Sequence, residues 1–326
     1  MLRNTTLINR SIYTNAMAAL HKNTSTLKLN TGAHIPVIGL GTWQSSENEG
    51  YNATLEALKA GYRHIDTAAI YKNEEEIGRA IRDSNIPRDE LFVTTKLWGT
   101  QHRNPTEALD QSLKRLGLDY VDLYLMHWPV ALKTDLIKDG NLLQIPERED
   151  GSRDVDLEDW NFVKTWELMQ ELPKEKARAI GVSNFSINNL KELLNSKGNK
   201  VVPAANQIEI HPLLPQDELI NFCKEKGIVL EAYSPLGSTD APILKEEEIT
   251  EIAKKNGVNA GQLVISWHAQ RGYVVLPKSV KPERIHGNQE TFKLSDEDFA
   301  TLSNYAKKHG ERRVVSPNWG PFKPFV

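Results

Sequence analysis

The chain has 326 residues, of which 39% are hydrophobic and 25% are charged, an ordinary composition for a globular protein with a large buried core. Its formal net charge is −3, so it has no overall basic field to attract nucleic acid or an anionic membrane. No apolar run reaches the roughly 18 residues of a membrane-spanning helix. The composition therefore predicts neither a nucleic-acid partner nor a membrane partner.

Cys223 is the only cysteine, so no intramolecular disulfide can form, which is typical of a protein from a reducing compartment. Because Cys223 falls in a helical pattern, we interpret it as a buried apolar residue with no catalytic role. We therefore expect a cytoplasmic protein.

The first 30 residues differ in composition from the rest of the chain. They are basic and rich in Ser, Thr and Asn, and the first acid is Glu47. This is compatible with a weak mitochondrial transit peptide. A disordered tail, or translation that begins at Met17, is the favoured interpretation. We assign residues 1–26 to this tail and 27–326 to one folded domain.

Past residue 30, short apolar runs alternate with longer helical patterns, as they do in βα units with a parallel sheet. Strands are predicted at 37–42, 62–68, 91–96, 121–127, 177–183, 205–210, 228–234 and 273–279. Helices are predicted at 47–60, 74–83, 105–116, 159–172, 186–195, 215–226, 246–256 and 260–271. Eight strands in strict alternation with helices favour an α/β fold of the (β/α)8 TIM-barrel type over an open sheet.

Three further segments lie outside this alternation. An N-terminal β-hairpin that turns at Thr31-Gly32 is predicted to cover the bottom of the barrel. A long loop after strand 4, at 129–157, and a C-terminal segment at 309–326, after a last helix at 296–308, lie on the catalytic side of a barrel. Long ordered loops there are usually functional, so we expect both to shape a substrate pocket.

Polar side chains recur at the carboxyl ends of the predicted strands, where a barrel directs them to one site. Asp66, Tyr71, Lys96 and His127 form a candidate group. A tyrosine with a pKa near 10 is a poor proton donor or acceptor unless a nearby cation stabilises its phenolate. Lys96 would supply that cation and Asp66 would hold Lys96, while His127 would donate a hydrogen bond to a substrate oxygen. Each residue alone is better explained as structural, but together they suit carbonyl reduction.

Eight ordered motifs resemble the aldo-keto reductases, from about residue 27 to the C-terminus. The motifs are GTWQ at 41–44, GYRHIDTAAIYKNEEEIGRAI at 61–81, TTKLW at 94–98, GLDYVDLYLMHWP at 117–129, GVSNFS at 181–186, NQIEIHP at 206–212, EAYSPLG at 231–237 and LPKSVKPERI at 276–285. The resemblance implies a barrel that reduces aldehydes and ketones to alcohols with NADPH, and in reverse oxidises alcohols such as glycerol with NADP. It also implies a monomer without a metal.

The resemblance assigns the catalytic roles to Asp66, Tyr71, Lys96 and His127, with Tyr71 as the general acid and base. The implied cofactor-binding residues are Thr42, Trp43, Asp66, Ser183, Asn184, Gln207, Tyr233, Ser234, Leu236, Ser238, Lys278, Ser279, Val280, Arg284 and Asn288. The implied pocket for a small carbonyl or alcohol substrate consists of Trp43, Trp98, His127, Trp128, Phe162, Asn318 and Trp319.

The basic run near residue 280 gives the cofactor assignment a physical basis. Lys278, Ser279, Lys281 and Arg284 fall within seven residues and match a dianionic 2′-phosphate, so NADPH is preferred over NADH. A solvated basic stretch at a helix start is the alternative. A Rossmann fingerprint after Gly39 fails because Gln44 replaces its third glycine.

One position departs from the family. Family members commonly carry Glu then Asn after the phosphate-binding arginine, and this chain has Gly287-Asn288. We expect Asn288 to meet the adenine without the help of a carboxylate, which puts that contact in doubt.

Two other functions remain open at this point. A glycoside hydrolase on the same barrel would use a pair of carboxylates, here Asp66 with Glu209 or Glu231, and would ignore NADPH. A cofactor-sensing or structural subunit would bind NADPH without turnover, because fold alone does not fix function.

Overall fold

The computed structural model describes residues 18–45, 48–238 and 240–325. Its centre is an eight-stranded sheet whose neighbouring strands are parallel and follow chain order. The strands are Leu40–Gly41 (β1), His64–Asp66 (β2), Phe92–Leu97 (β3), Leu123–Met126 (β4), Ile180–Ser183 (β5), Ala205–Glu209 (β6), Val229–Tyr233 (β7) and Val274–Val275 (β8). Each overlaps a predicted strand.

The first and last strands close the sheet into a barrel. Parallel bridges join Ile38 to Val275 and Gly41 to Lys278. The amide of Val275 donates to the carbonyl of Val37 at 2.8 Å, and the amide of Gly39 donates to the carbonyl of Val275 at 3.0 Å. The predicted (β/α)8 barrel is confirmed.

Helices surround the barrel. They are Glu49–Ala60 (α1), Glu74–Asp83 (α2), Pro105–Leu116 (α3), Phe162–Met169 (α4), Ile187–Asn195 (α5), Asp217–Glu225 (α6), Glu247–Lys255 (α7), Ala260–Arg271 (α8), Pro282–Asn288 (α9), Asp296–Ser303 (α10) and Tyr305–His309 (α11). Local signals set several ends: the Asn104 side chain caps α3, and Gly117, at φ 64°, ends it in the left-handed region. Two features were not predicted, namely α9 and the break at Asn304 that divides the last helix.

The N-terminal hairpin pairs Thr26–Lys28 with His34–Pro36 and turns at Gly32, where φ is 90°. Leu29 and Ile35 of this hairpin pack with apolar side chains from the lower ends of β3, β4 and β8. The predicted cover over the bottom of the barrel is therefore confirmed, and the opposite end is left open for a site.

The chain already contacts the barrel before this hairpin. His21–Lys22 pairs with Glu290–Thr291, and the Lys22 ammonium donates to the carbonyl of Ala60 at 2.9 Å. Residues 18–26, assigned to the tail from the sequence, thus pack on the barrel. The transit peptide and the start at Met17 concern residues outside the described ranges and stay predictions.

The long loop after β4 is ordered over the catalytic end. Ala131–Leu132 pairs with Val155–Asp156, and the Arg153 amide donates to the carbonyl of Asn318 at 3.0 Å. The Trp98 indole N–H donates to the carbonyl of Gln144 at 2.7 Å. These contacts tie the loop both to β3 and to the C-terminal segment.

Candidate active site

A cavity of about 940 Å³ opens at the carboxyl ends of the strands, within the range of small-molecule sites. Tyr71, His127 and Trp98 line the part of it that we call the substrate end, and Lys278 and Arg284 also line the cavity. Within the described ranges there is no cluster of side chains able to hold a metal ion, and no helix there is long and apolar enough to cross a membrane.

Asp66 and Lys96 form a buried ion pair at the base of the cavity. The Lys96 ammonium lies 2.7 Å from Asp66 Oδ1 and donates to the carbonyl of Thr67 at 2.9 Å. The second carboxylate oxygen of Asp66 accepts from the Gln207 amide at 2.7 Å. Because the charges are desolvated, removing one partner would leave the other uncompensated. The pair therefore fixes the position of Lys96.

Tyr71 ends the short 3-10 helix Ala69–Tyr71 that follows β2. The Lys96 ammonium lies 5.2 Å from the centre of the Tyr71 ring. Burial raises the pKa of Tyr71 above its usual value of 10.0, and Lys96 opposes this rise without cancelling it. Tyr71 is thus a protonated phenol at neutral pH, the form that a proton donor requires. The expectation that Lys96 favours the phenolate holds for its direction but not for the net result.

His127 follows β4 and packs edge-on against both Tyr71 and Trp98, with ring centres 5.7 Å and 5.5 Å away. Burial, reinforced by Lys96 and Arg153, lowers the pKa of His127 well below 6.5. Its Nδ1 has no hydrogen-bond partner among the described residues. The imidazole is therefore neutral, and a neutral imidazole offers one N–H to a substrate oxygen.

A polar network joins β5, β6 and β7 beside this group. Asn184, at φ 64°, donates to the carbonyl of His127 at 2.9 Å and accepts from the Tyr233 hydroxyl at 2.7 Å. Asparagine tolerates this left-handed conformation better than most residues. The Ser183 hydroxyl donates to the carbonyl of Gln207 at 2.8 Å. Ser183, Asn184, Gln207 and Tyr233 all line the cavity.

The other predicted cofactor-binding residues also line the cavity. They are Thr42, Trp43, Asp66, Ser234, Leu236, Ser238, Lys278, Ser279, Val280, Arg284 and Asn288. The Ser279 hydroxyl accepts from the Lys281 amide at 3.1 Å, and Lys278 Nζ donates to the carbonyl of Gln44 at 3.2 Å. Two cations and a hydroxyl within seven residues of one another in sequence thus line the cavity, which suits a phosphate group.

Gly287 and Asn288 both line the cavity. A Cβ built on Gly287 would lie 3.7 Å from Gln262 Nε2 and 3.9 Å from Asn259 Nδ2, which are ordinary contact distances. Backbone crowding therefore does not force glycine at this position, and the site has room there for a side chain.

The structure brings four of the predicted substrate-pocket residues to the cavity and places the other three elsewhere. Trp43, Trp98, His127 and Trp128 line the cavity, and Trp43 is 42% exposed at its rim. Three other predicted pocket residues, Phe162, Asn318 and Trp319, are absent from the lining.

Each of these three has a structural explanation. The Asn161 cap begins α4 and places Phe162 in the barrel core, 5.2 Å from the ring centre of Phe185. Trp319 packs behind Trp128 at 4.9 Å. The Asn318 side chain accepts from the Gly320 amide at 3.1 Å.

Sequence reasoning missed five residues that line the substrate end. They are Ile70, Ile145, Arg153, Val315 and Pro317. Four of them lie in the two segments predicted to shape the pocket, but no periodic pattern inside those loops marks which side chains face inward.

The carboxylate pairs required by a glycoside hydrolase do not face the cavity. Glu209 and Glu231 are fully buried and absent from its lining. Glu209 accepts from the amides of Val314 and Val315 at 2.7 Å and 2.9 Å. Neither Glu209 nor Glu231 can therefore act beside Asp66 as the second acid of a hydrolase.

Comparison with known proteins agrees with this geometry. Residues 37–307 match the model of the aldo/keto reductase family. The chain belongs to that family. The predicted family and the predicted class of oxidoreductase are therefore confirmed, which removes the hydrolase and the purely structural alternatives.

Three individual proteins resemble the chain closely. It is 69% identical to a glycerol 2-dehydrogenase (NADP(+)) of Saccharomyces cerevisiae, over 94% of this chain and 99% of that one. It is 67% identical, with the same shares covered, to an aldehyde reductase of the same yeast. The solved structure of an aldose reductase from Schistosoma japonicum has a TM-score of 0.80 and 36% identity, over 89% of this chain and 94% of that one.

Proposed function

We propose that this aldo/keto reductase reduces small aldehydes and ketones to alcohols with NADPH and oxidises alcohols such as glycerol with NADP in the reverse direction. The observation that carries the proposal is the buried Asp66–Lys96 pair beside a protonated Tyr71 and a neutral His127. The names of the two yeast relatives support both the cofactor and the substrate class.

The residues of the cavity fit NADPH. Lys278, Ser279 and Arg284 would hold the 2′-phosphate, because a guanidinium fork, an ammonium and a hydroxyl suit a phosphate dianion. Ser183, Asn184 and Gln207 would hold the carboxamide, and Tyr233 would stack on the nicotinamide ring. When bound, NADPH supplies the hydride that reaches the carbonyl carbon.

The remaining chemistry belongs to the side chains. His127 donates its N–H to the substrate oxygen and orients the carbonyl. Tyr71 gives its phenolic proton to that oxygen as negative charge develops there, and Lys96 stabilises the phenolate that remains. Asp66 holds Lys96 in place. In the oxidative direction, the Tyr71 phenolate takes the proton back.

The decisive experiment follows NADPH absorbance at 340 nm with DL-glyceraldehyde, for the native protein and for Tyr71→Phe. We expect Tyr71→Phe to lose at least about 10²-fold in turnover, the scale of general acid catalysis, while its NADPH affinity is retained. NADH in place of NADPH should give a much higher KM for the cofactor.

Tyr51→Phe is a suitable control, because the Tyr51 hydroxyl bonds Asp83 away from the cavity. It should keep native rates. Native rates in Tyr71→Phe would refute the assigned role, and a native protein that binds NADPH but never consumes it would support a sensing function.

The monomeric state and the cytoplasmic location belong to the same proposal. The single cysteine supports a reducing compartment. Light scattering coupled to size-exclusion chromatography should give a mass near 36.8 kDa. Fractionation of cells that express the full chain should place it in the cytosol, whereas recovery in mitochondria would show that the first residues act as a targeting segment.

A further inference from the structure

Arg153 lies at the substrate end of the cavity, in the loop after β4. Its backbone amide is bonded to Asn318, so the loop and the C-terminal segment together fix its position. The guanidinium carbon lies 4.1 Å from the ring centre of Trp319 and 5.8 Å from that of Trp98. The side chain is thus held against two indole rings at the edge of the pocket.

The guanidinium has no acceptor in the described part of the chain. Its Nη1 is buried without a hydrogen-bond partner. Burial lowers the pKa of Arg153 to about 10, and the carboxylate of Glu147 opposes this shift without cancelling it. Arg103 and Arg148, by contrast, are ion-paired with Asp156 and Asp154 at 2.5 Å and 2.8 Å. The loop supplies partners for its neighbouring arginines but leaves Arg153 facing the cavity.

A cation in this state favours an anionic ligand. A buried N–H group without a partner is costly, and a carboxylate would satisfy two N–H groups of the fork at once. Among the described residues, the cavity lining carries two carboxylates, those of Asp66 and Glu283. Asp66 is already bound to Lys96 and Gln207.

The position of Arg153 relative to the proton donors limits the shape of that ligand. Trp98 packs against His127 on one side, at 5.5 Å between ring centres, and lies near Arg153 as well. A molecule whose carbonyl oxygen meets Tyr71 and His127 would have to pass along Trp98 before it reached the guanidinium. The anionic group would therefore be separated from the carbonyl by several bonds.

We propose that Arg153 binds the carboxylate of an oxo-acid substrate, in which several bonds separate the carboxylate from the reacting aldehyde or ketone. Arg153 is then a specificity-determining residue of this enzyme. The inference rests on the proposed carbonyl reduction and adds a class of substrate to it.

The test compares two aldehydes that differ only in charge, 4-carboxybenzaldehyde and its methyl ester, with saturating NADPH. The native protein should favour the acid. In Arg153→Met, kcat/KM for the acid should fall about 10- to 100-fold, mainly through KM, as expected when a charge-assisted hydrogen-bonded pair is lost. In the same variant, kcat/KM for the ester should change less than about threefold. Arg153→Lys, which keeps the charge but loses the fork, should restore part of the loss.

Arg148→Met is the matched control, because it removes an ion-paired arginine from the same loop. Arg148→Met should leave the ratio of kcat/KM for the acid to kcat/KM for the ester unchanged. If Arg153→Met lowers the rates for acid and ester equally, Arg153 only braces Trp319 and the proposal is overturned. If kcat/KM for the carboxylate-bearing aldehyde is unchanged in Arg153→Met, the proposal is overturned as well.

A binding measurement separates this proposal from the proposed function. Terephthalate is titrated into the protein saturated with NADP, and tryptophan fluorescence is followed. Native binding that weakens at least tenfold in Arg153→Met supports the carboxylate site even if no aldehyde is reduced, in which case only the proposed function fails. Equal affinity in both proteins contradicts the site even if both reduce the ester.

Discussion

The protonation states of Tyr71 and His127 predict how activity depends on pH. Burial keeps the pKa of Tyr71 above 10.0 and that of His127 well below 6.5. Reduction needs the phenol and the neutral imidazole, so its kcat/KM should stay level from pH 6.5 to 9. Oxidation needs the phenolate and should rise about tenfold per pH unit over that range. Rates in both directions between pH 6 and 10 test this prediction.

The two directions provide each other's control, because both use the same substrate pocket. A reduction rate that falls as pH rises through 6.5 would mean that the imidazolium form of His127 is required. That outcome would contradict the neutral state assigned here.

Glu231 is a buried acid beneath the catalytic group. No hydrogen bond of normal geometry reaches its oxygens from the described part of the chain, although Gln207 interacts with it, and His64 Nε2 lies 3.9 Å away. Burial, with Asp66 nearby, raises the pKa of Glu231 from 4.5 to about 8. The folded state therefore keeps a proton that the unfolded state releases above pH 4.5. This costs about 1.4 kcal/mol of stability per pH unit up to pH 8.

Glu231→Gln should remove that cost, since the amide is neutral in both states and similar in shape. We expect the free energy of unfolding to be close to native at pH 4.5 and above native by a few kcal/mol at pH 8. Urea unfolding at the two pH values measures the difference. Equal destabilisation at both values would show that the carboxyl makes bonds that an amide cannot replace.

At the level of elements, hydrogen bonds between Glu209 and the amides of Val314 and Val315 join β6 to the C-terminal segment, and we call this contact the clasp. The two Glu209 oxygens accept from the amides of Val314 and Val315, and one of them also lies 2.8 Å from His211 Nε2. Val315 lines the substrate end of the cavity. A buried carboxylate on the barrel thus sets the position of a pocket wall.

Glu209→Gln should release this wall, because an amide cannot accept with both of its ends. The loss of one hydrogen bond to a charged group should shift the equilibrium between the bound and the released C-terminal segment about 10-fold or more towards release. Limited proteolysis after residue 309 should accelerate, and substrate KM should rise with little change in NADPH affinity. Glu311→Gln, at an exposed acid of the same segment, should behave as native. Native-like protease resistance in Glu209→Gln would refute the clasp.

The sequence predicted the alternating elements well because their signals are local. Helix α3 is defined by the spacing of its apolar residues, the Asn104 cap and Gly117, without contacts from distant parts of the chain. The grouping of Asp66, Tyr71, Lys96 and His127 was predictable too, because each residue lies at or after the carboxyl end of a strand. A barrel brings these strand ends together whatever the loops do.

The substrate end was less predictable because long-range contacts build it. Arg153 is positioned by a backbone bond to Asn318, and Val315 by a carboxylate more than 100 residues earlier. Phe162 was assigned to the pocket, but the cap at Asn161 places it in the core instead. Hydrophobic aromatic character alone does not distinguish these two environments.

For the whole molecule, four of the five histidines that are buried in the described ranges predict a steep loss of stability in mild acid. Burial lowers the pKa of His64 to about 4 and that of His102 to about 3. It lowers those of His127 and His268 well below 6.5. The unfolded chain takes up these protons as pH falls through 6.5, while the folded chain does not. Each histidine therefore costs about 1.4 kcal/mol per pH unit below 6.5.

His102→Met isolates one of these contributions, because neither His102 nitrogen has a hydrogen-bond partner in the described ranges and methionine has a similar volume. We expect stability within about 1.5 kcal/mol of native at pH 7.5, and a slope between pH 6 and 4.5 that is smaller by about 1.4 kcal/mol per unit. Urea unfolding across this range measures the slope, and His34→Gln, at an exposed histidine, is the control. If the His102→Met slope equals the native one, His102 is already protonated in the folded protein, and the acid sensitivity must come from the carboxylates.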